Sequence, residues 1–273
     1  MTILRPYAAM FAAHFQLMLQ YRAAALAGFA TQCWWGAMKV MVLAAFYAGG
    51  EVGPMRLADA ITYVWLGQAF LAVLPWNADP EVAAAVRTGA ISYERLRPAD
   101  TYALWYARAA AGMIATALPR ATMMVALAGF LLPVMGQAGW ALRPPAGLAA
   151  AGLFAVSMVG VVLLSAAMRN LLSILVVATL NDRGANTLAA PIVNVLSGSI
   201  VPLAFFPDAL VPLLRLGPFA GLVDTPFRIY FGELVGSGAV GAILMQLGWT
   251  VVLFAIGHLW LDRVMARLQV QGG

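Results

Sequence analysis

The chain alternates between long apolar blocks and short polar segments. A helix of about 20 apolar residues crosses a hydrocarbon core of about 30 Å, so each long block is a candidate span. The pattern predicts an all-α integral membrane protein with six transmembrane helices. The predicted spans are residues 24–48, 58–76, 109–135, 146–168, 188–206 and 239–261. A further apolar run, residues 171–180, is too short to span and either lies in the interface or prolongs the fourth helix.

The N-terminal unit, residues 1–22, has apolar side chains at helical intervals and no continuous apolar block. Tyr7 and His14 lie on the apolar stripe, whereas Arg5 lies off it. A cleavable signal sequence would instead have an uninterrupted apolar core. Residues 3–22 are therefore predicted to form an interfacial helix on the membrane surface.

The cytoplasmic segment 79–100 is the most polar part of the chain. Asp79 is a good N-cap, Pro80 suits the first helical position and Gly89 can close the helix. The segment predicts a short, rigid helix that can pass movement from a soluble partner to the two spans it joins. An ordinary solvated loop is the alternative.

The segment 202–238, between the fifth and sixth predicted spans, stays apolar although it holds several of the 15 prolines. These prolines are Pro202, Pro207, Pro212, Pro218 and Pro226. A solvated loop would be polar, and a spanning helix would not contain so many prolines. Re-entrant or interfacial helices on the external side are predicted, and a membrane-hugging loop is the alternative.

Composition excludes several classes of protein. Of the 273 residues, 63% are hydrophobic and only 10% are charged, which excludes a soluble globular protein. The net charge is +5, but the charged residues are too few to form a nucleic-acid-binding surface. A P-loop requires Gly-Lys, and the lysine of this chain, Lys39, follows Met38. The isolated Cys33 and the two distant histidines give no zinc site and no catalytic triad.

Two basic residues, Lys39 and Arg120, fall within predicted spans. Lys39 is close enough to the outer end of its span to snorkel to the headgroups. Arg120 follows Pro119, where a kink is expected, and it either pairs with a carbonyl or an acid or contacts an amphiphile with an anionic head. No acidic residue lies at the centre of a predicted span, which disfavours a proton- or sodium-coupled carrier.

Six spans place both termini on one side of the membrane. That side carries most of the arginines outside the spans, so the positive-inside rule predicts that both termini are cytoplasmic. The chain is predicted to be a single multi-pass domain, residues 1–273, in a bacterial inner membrane.

Three runs of sequence are similar to those of type-2 ABC exporter permeases. They are VRTGAISYERLRPAD at Val86–Asp100, SGSIVPLAFFP at Ser197–Pro207 and GPFAGLVDTPFRIYFGE at Gly217–Glu233. The resemblance covers essentially the whole chain. It implies a half-transporter that pairs with an identical or related permease and docks two separate ATP-binding cassette subunits, which hold ATP and Mg²⁺. No cofactor is expected in this chain itself.

The resemblance also assigns roles to residues. Those implied to couple to the ATPase are Pro80, Glu81, Arg87, Thr88, Gly89, Tyr93, Glu94, Arg95 and Arg97. Those implied to shape the translocation path or external gate are Pro202, Phe205, Phe206, Pro207, Pro218 and Phe219, to which the charged Lys39 and Arg120 are added.

The sequence therefore predicts a non-enzymatic permease subunit of an ATP-driven exporter, surrounded by lipid and moving its substrate outward. A lipid-like or amphiphilic substrate is favoured, with drugs, glycans and peptides left open, as are homodimer and heterodimer. One alternative is a membrane scaffold or receptor that recruits a cytoplasmic protein without transport. Another, an intramembrane enzyme acting on lipids, lacks a nucleophile or metal cluster.

Overall fold

A computed structural model describes residues 4–50, 53–96 and 98–267, apart from the side chain of Arg95. These residues form helices and turns, with no strand among them. In the N-terminal half the helices are α1 (Arg5–Leu19), α2 (Arg22–Tyr47), α3 (Leu57–Ala69), α4 (Pro80–Thr88), α5 (Thr101–Val125) and α6 (Leu132–Val134). In the C-terminal half they are α7 (Leu148–Thr179), α8 (Asp182–Ser197), α9 (Val211–Leu216), α10 (Asp224–Tyr230) and α11 (Gly236–Arg267).

Three of the described helices are long and apolar enough to cross a membrane. They are Thr101–Val134 with 34 residues, in which a π-helical turn joins α5 to α6, and α7 and α11 with 32 residues each. They cover the sixth predicted span entirely and all but one or two residues of the third and fourth. The all-helical membrane class is therefore confirmed, whereas the six-span topology stays a prediction.

Helix α7 is the central element of the bundle. It packs against α5, α10 and α11, and Leu164, Ala166 and Ile174 on it are fully buried. The short run 171–180 continues this helix to Thr179, which agrees with the second of its two predicted placements. Helix α1 lies along α5 and buries none of its residues completely; its position at a membrane interface stays a prediction.

Two predicted spans have different bounds in the structure. Helix α3 has only 13 residues, ends at Ala69 and is followed by a 3₁₀ turn. Leu74 is extended, as expected for a residue that precedes proline, so the helix does not resume there. Helix α8 begins at Asp182, where the Asn181 side chain caps it, and ends at Ser197. The next residue, Gly198, has a φ of 85°, a left-handed conformation that closes a helix.

Helix α5 remains α-helical through Pro119, so the helix is not interrupted there, and the kink expected at this residue stays a prediction. The departure from α-helical geometry comes later, at the π-helical turn Ala126–Leu131. A π turn inside an α-helix is itself a recognised source of bending. The departure from α-helical geometry in this long helix therefore lies at Ala126–Leu131, closer to its C-terminal end than Pro119.

The segment 202–238 forms short helices that return into the bundle. Between α8 and α11 lie two 3₁₀ turns and the helices α9 and α10. Phe227 and Ile229 of α10 are buried, and Gln246 on α11 donates to the Gly221 carbonyl at 2.7 Å. This packing is unlike that of a solvated loop; entry of the segment into a membrane stays a prediction.

Candidate functional site

The polar segment after α3 folds as the sequence predicted. The Asp79 carboxylate accepts a hydrogen bond from the Glu81 N–H at 2.9 Å, and Pro80 occupies the first helical position of α4. Gly89 ends the helix with a φ of 74°, which favours glycine. The capping residues therefore fix both ends of a helix only 9 residues long.

A buried arginine holds α4 against the bundle. Arg108 on α5 is only 6% exposed, and its Nε donates to Asp79 Oδ2 at 2.8 Å while its Nη1 donates to Glu81 Oε2 at 2.9 Å. His14 on α1 places its Nδ1 3.6 Å from Glu81 Oε1. Together these four residues, the Arg108 clamp, join α1, α4 and α5.

Further hydrogen bonds attach the same segment to α7 and α8. The Asp79 N–H donates to Ser173 Oγ at 2.9 Å, and the Ala78 N–H donates to Asn186 Oδ1 at 2.9 Å. Near the C-terminal end of α4, Arg87 donates to Asp182 at 3.0 Å. Helices α5, α7 and α8 are thus bonded directly to α4 or to the residues that precede it.

A second junction ties α1, α5 and α11 together. Asp100 caps α5 by accepting from the Ala103 N–H at 2.6 Å, and its other oxygen lies 2.9 Å from His258 Nε2 on α11. The Asp100 N–H donates to the Tyr7 hydroxyl of the interfacial helix at 3.2 Å. A displacement of the segment 79–100 would therefore reach α1, α5 and α11 from both of its ends.

The opposite side of the segment is exposed. Val82 packs into an apolar cluster with Tyr102, Ile174 and others, which buries one face of α4. The coupling surface, as we call the exposed side, consists of Arg87, Thr88, Tyr93 and Leu96. Tyr93 is 69% exposed and Leu96 is 78% exposed. These two large side chains are accessible to a docked protein, and docking at this surface stays a prediction.

The other predicted coupling residues have varied surroundings. Glu81 belongs to the Arg108 clamp, although its side chain is still 52% exposed. The Glu94 carbonyl accepts from the Thr101 hydroxyl at 3.3 Å. Arg97 and the side chain of Arg95 lie outside the part that the structure describes.

The residues predicted to form the path or gate do not share one cavity. Lys39, Pro202 and Phe205 line an apolar cavity of about 590 Å³ between α2 and α3. Pro218 and Phe219 line another apolar cavity of about 710 Å³, beside α7 and α8. Two predicted gate residues, Phe206 and Pro207, line neither of these cavities.

Arg120 lines two further cavities, a polar one of about 360 Å³ and a mostly apolar one of about 540 Å³ beside the start of α2. Its Nη2 donates to the Ala24 carbonyl at 3.3 Å, near the start of α2, and a Cβ atom at Gly28 would overlap its guanidinium. Helical side chains point towards the N-terminus of their helix, so the guanidinium lies closer to the Thr101 end of α5 than its backbone does. The expected carbonyl partner is present, but it belongs to a neighbouring helix.

The sequence did not reveal a second charged cluster, near the other end of α11. The Asp224 carboxylate, 3% exposed, lies 3.2 Å from Arg215 Nε and 3.8 Å from Arg228 Nη1, and Arg228 also contacts Glu233 at 3.2 Å. Burial raises the pKa of the Asp224 carboxyl above its ordinary value, although the two arginines lower it. We call these four residues the Asp224 cluster.

Sequence reasoning also missed Arg108, Ser173 and Asn186, which hold the coupling segment from other helices. One available signal was Arg108 itself, a charged residue at the edge of a predicted span with acidic residues as candidate partners. Among the described residues there is no group of three or more His, Cys, Asp or Glu side chains that could hold a metal ion.

Comparison with known proteins identifies the family of the chain. No curated protein matches the chain. The family described as ABC-2 family transporter protein matches residues 34–272, which include α4, the Arg108 clamp apart from His14, and the helices that follow. Members of that family are membrane transport subunits without catalytic activity of their own and typically work with ATP-binding cassette partners. The chain therefore belongs to the ABC-2 transporter family and is a membrane protein of its transport-subunit type.

Proposed function

We propose that the chain is the permease subunit of an ATP-driven exporter in a bacterial inner membrane. Two copies of a separate cassette subunit hydrolyse ATP with Mg²⁺, and a second permease completes the pathway. Both termini face the cytoplasm, and the substrate, amphiphilic or lipid-like, moves outward. Family membership and the long apolar helices support the transport role.

The observation that carries this proposal is the two-sided character of the segment 79–100. Its inner side is fixed by the Arg108 clamp, and its outer side presents the coupling surface with Tyr93 and Leu96 exposed. A solvated loop would need neither the buried ion pairs nor the exposed apolar side chains. A segment held this way moves its neighbours when its outer side is pushed.

Force passes through named contacts in this scheme. When the cassette subunits close, the coupling surface moves with them and α4 pulls on α5 through Arg108 and on α7 through Ser173. His14 carries the same movement to α1. Nucleotide can drive this only by favouring the closed arrangement of its own subunits over the open one.

The substrate path is assigned to the apolar cavity that holds Lys39, Pro202 and Phe205. Its lining is almost entirely apolar, and Lys39 offers one positive charge that suits an anionic headgroup. The 3₁₀ turn Leu203–Phe205 lies at its border, so movement of that turn would widen or close the cavity. This arrangement supports an amphiphile more than a fully polar cargo.

The test is ATP-dependent accumulation in inside-out membrane vesicles from cells that express the chain, a second permease where one is encoded beside it, and the adjacent cassette subunit. Mass spectrometry of the vesicle lumen detects an accumulated molecule whatever its chemical class. At least one molecule should accumulate with ATP and should fail to accumulate when the cassette subunit is catalytically inactive. A complex that assembles and hydrolyses ATP but accumulates nothing would support the scaffold alternative and contradict the proposal.

A further inference from the structure

The polar cavity lies between the interfacial helix and the coupling segment. Its volume is about 360 Å³, and its wall includes His14, Gln32, Trp76, Arg108, Arg120 and Arg169. We call it the arginine cavity. It reaches from the Arg108 clamp along one face of α5, where Arg108, Gly112, Thr116 and Arg120 recur every four residues.

Several buried hydrogen-bond donors on this wall have no hydrogen-bond partner among the described residues. They are Trp76 Nε1, Arg108 Nη2, Arg120 Nε and Arg169 Nε. Buried polar groups are nearly always satisfied in native proteins, because an unmade hydrogen bond costs free energy. A concentration of unsatisfied donors around one cavity therefore indicates a ligand that supplies acceptors.

The charged groups around the cavity indicate the charge of that ligand. Three guanidinium groups face two carboxylates, Asp79 and Glu81, and both carboxylates are already hydrogen-bonded to Arg108. At the Arg108 end two arginines face the two carboxylates, and Arg169 has no ion-pair partner among the described residues, so it lies where a desolvated cation is costly without a counter-ion. An anion with several oxygen acceptors supplies that counter-charge and accepts from the free donors, and arginine binds phosphate especially well.

Helix geometry indicates which end of the cavity the ligand occupies. Arg108 and Arg120 are 12 residues apart on α5, which corresponds to roughly 18 Å along the helix axis. One phosphate group cannot contact both backbone levels, so the end near Arg108, Trp76 and Arg169 is the site.

We propose that the arginine cavity binds a phosphate-bearing anion, which links the Arg108 clamp to Arg169 on α7. The phosphate comes either from a phospholipid headgroup of the adjacent leaflet or from free phosphate. The lining residue His14 of the interfacial helix places the cavity at the membrane surface, where headgroups lie. This proposal concerns binding alone and holds whether or not the chain exports a substrate.

The test uses the full chain, purified in a neutral maltoside detergent and freed of lipid. Thermal unfolding is followed while dioleoylphosphatidylglycerol, inorganic phosphate or dioleoylglycerol is titrated. A saturable rise in melting temperature with phosphatidylglycerol alone identifies the headgroup, and an equal rise with inorganic phosphate identifies free phosphate. No saturable rise with either phosphate compound, or an equal rise with dioleoylglycerol, overturns the proposal and leaves water as the occupant.

Matched variants locate the site. Arg169→Gln should weaken the apparent affinity for the stabilising compound about ten- to a hundredfold, because it removes a charged donor. Arg183→Gln changes an exposed arginine outside the cavity and should bind like the wild type. Wild-type affinity in Arg169→Gln would overturn the assignment.

A second variant covers the possibility that Arg169→Gln does not fold. Trp76→Phe keeps an aromatic ring and removes only the indole N–H, so it should bind about three- to tenfold more weakly, the effect of one lost neutral hydrogen-bond donor. Unchanged binding in a folded Trp76→Phe protein would exclude this end of the cavity as the site.

Discussion

The Arg108 clamp and the Asp224 cluster both contain arginine–carboxylate pairs, but the two groups differ in what surrounds those pairs. They lie near opposite ends of α11, since α4 packs near Leu261 whereas α10 packs near Ala239. In the Asp224 cluster two arginines meet two acids, and none of the four residues leaves a buried side-chain atom without a partner in the described part of the chain.

The clamp differs because one of its buried donors, Arg108 Nη2, has no acceptor among the described residues. Arg108 retains one buried N–H group without a partner among the described residues and borders a polar cavity with two further arginines. The comparison teaches that buried ion pairs by themselves indicate structure, whereas surplus buried donors beside a cavity and an exposed docking surface indicate function.

The largest expected effect is that of Arg108→Met. This substitution removes the arginine partner of the Asp79 carboxylate, whose side chain is only 7% exposed. The loss should lower the free energy of unfolding by about 3–5 kcal/mol. Arg228→Met is the comparison, and it should cost only about 1 kcal/mol because Asp224 keeps Arg215 as a partner. Thermal unfolding in detergent measures both, and equal losses would contradict the difference between the clusters.

The next effect is at the end of α4. Gly89 has a φ of 74° and open space around it, so Gly89→Val introduces backbone strain of about 1–2 kcal/mol without a clash. Gly89→Asn is the matched control, because asparagine adopts the left-handed conformation more readily. We expect the valine variant to lower both melting temperature and ATPase stimulation, and the asparagine variant to stay near the wild type.

Substitutions on the coupling surface should separate docking from stability. Leu96→Ala changes a side chain that is 78% exposed, so the free energy of unfolding should change by less than about 0.5 kcal/mol. Binding to the cassette subunit should nevertheless weaken about tenfold, as expected for an apolar anchor at an interface. Leu148→Ala, which removes another highly exposed leucine outside this surface, serves as the control and should leave binding unchanged.

The smallest effect is a pH dependence within the Asp224 cluster. Because the pKa of Asp224 is raised in the folded state, its contribution favours folding below about pH 4 and is lost as pH rises through the raised pKa. Asp224→Asn cannot ionise. Its melting temperature should therefore decline less than that of the wild type as pH rises above about 4, and identical slopes would show that burial does not control this carboxyl.

Local features of the site could be predicted from the sequence, whereas its long-range contacts could not. The caps of α4 depend on Asp79, Pro80 and Gly89, which act within a few residues of one another. The partnership of Arg108 with Asp79 joins residues 29 positions apart, and the bond from Asp79 to Ser173 spans 94 positions. Such contacts depend on how the helices pack, which hydropathy does not specify.

The fold shows the same division. Hydropathy located the three longest apolar helices. It did not locate the end of α3 at Ala69, because the apolar pattern continues beyond that residue. It also could not show that Lys39 and Phe205 line one cavity while Phe219 lines another. Periodicity describes the face of a helix and not which neighbour covers that face.

The most direct test of force transmission compares Arg108→Lys with Arg228→Lys in the complete transporter. Lysine keeps the charge but cannot donate from two nitrogens to two carboxylates as Arg108 does. The measured quantity is substrate accumulated per ATP hydrolysed in inside-out vesicles. We expect Arg108→Lys to keep hydrolysis and lose most accumulation, with Arg228→Lys unchanged; wild-type coupling in Arg108→Lys, or equal uncoupling in both variants, would contradict the account.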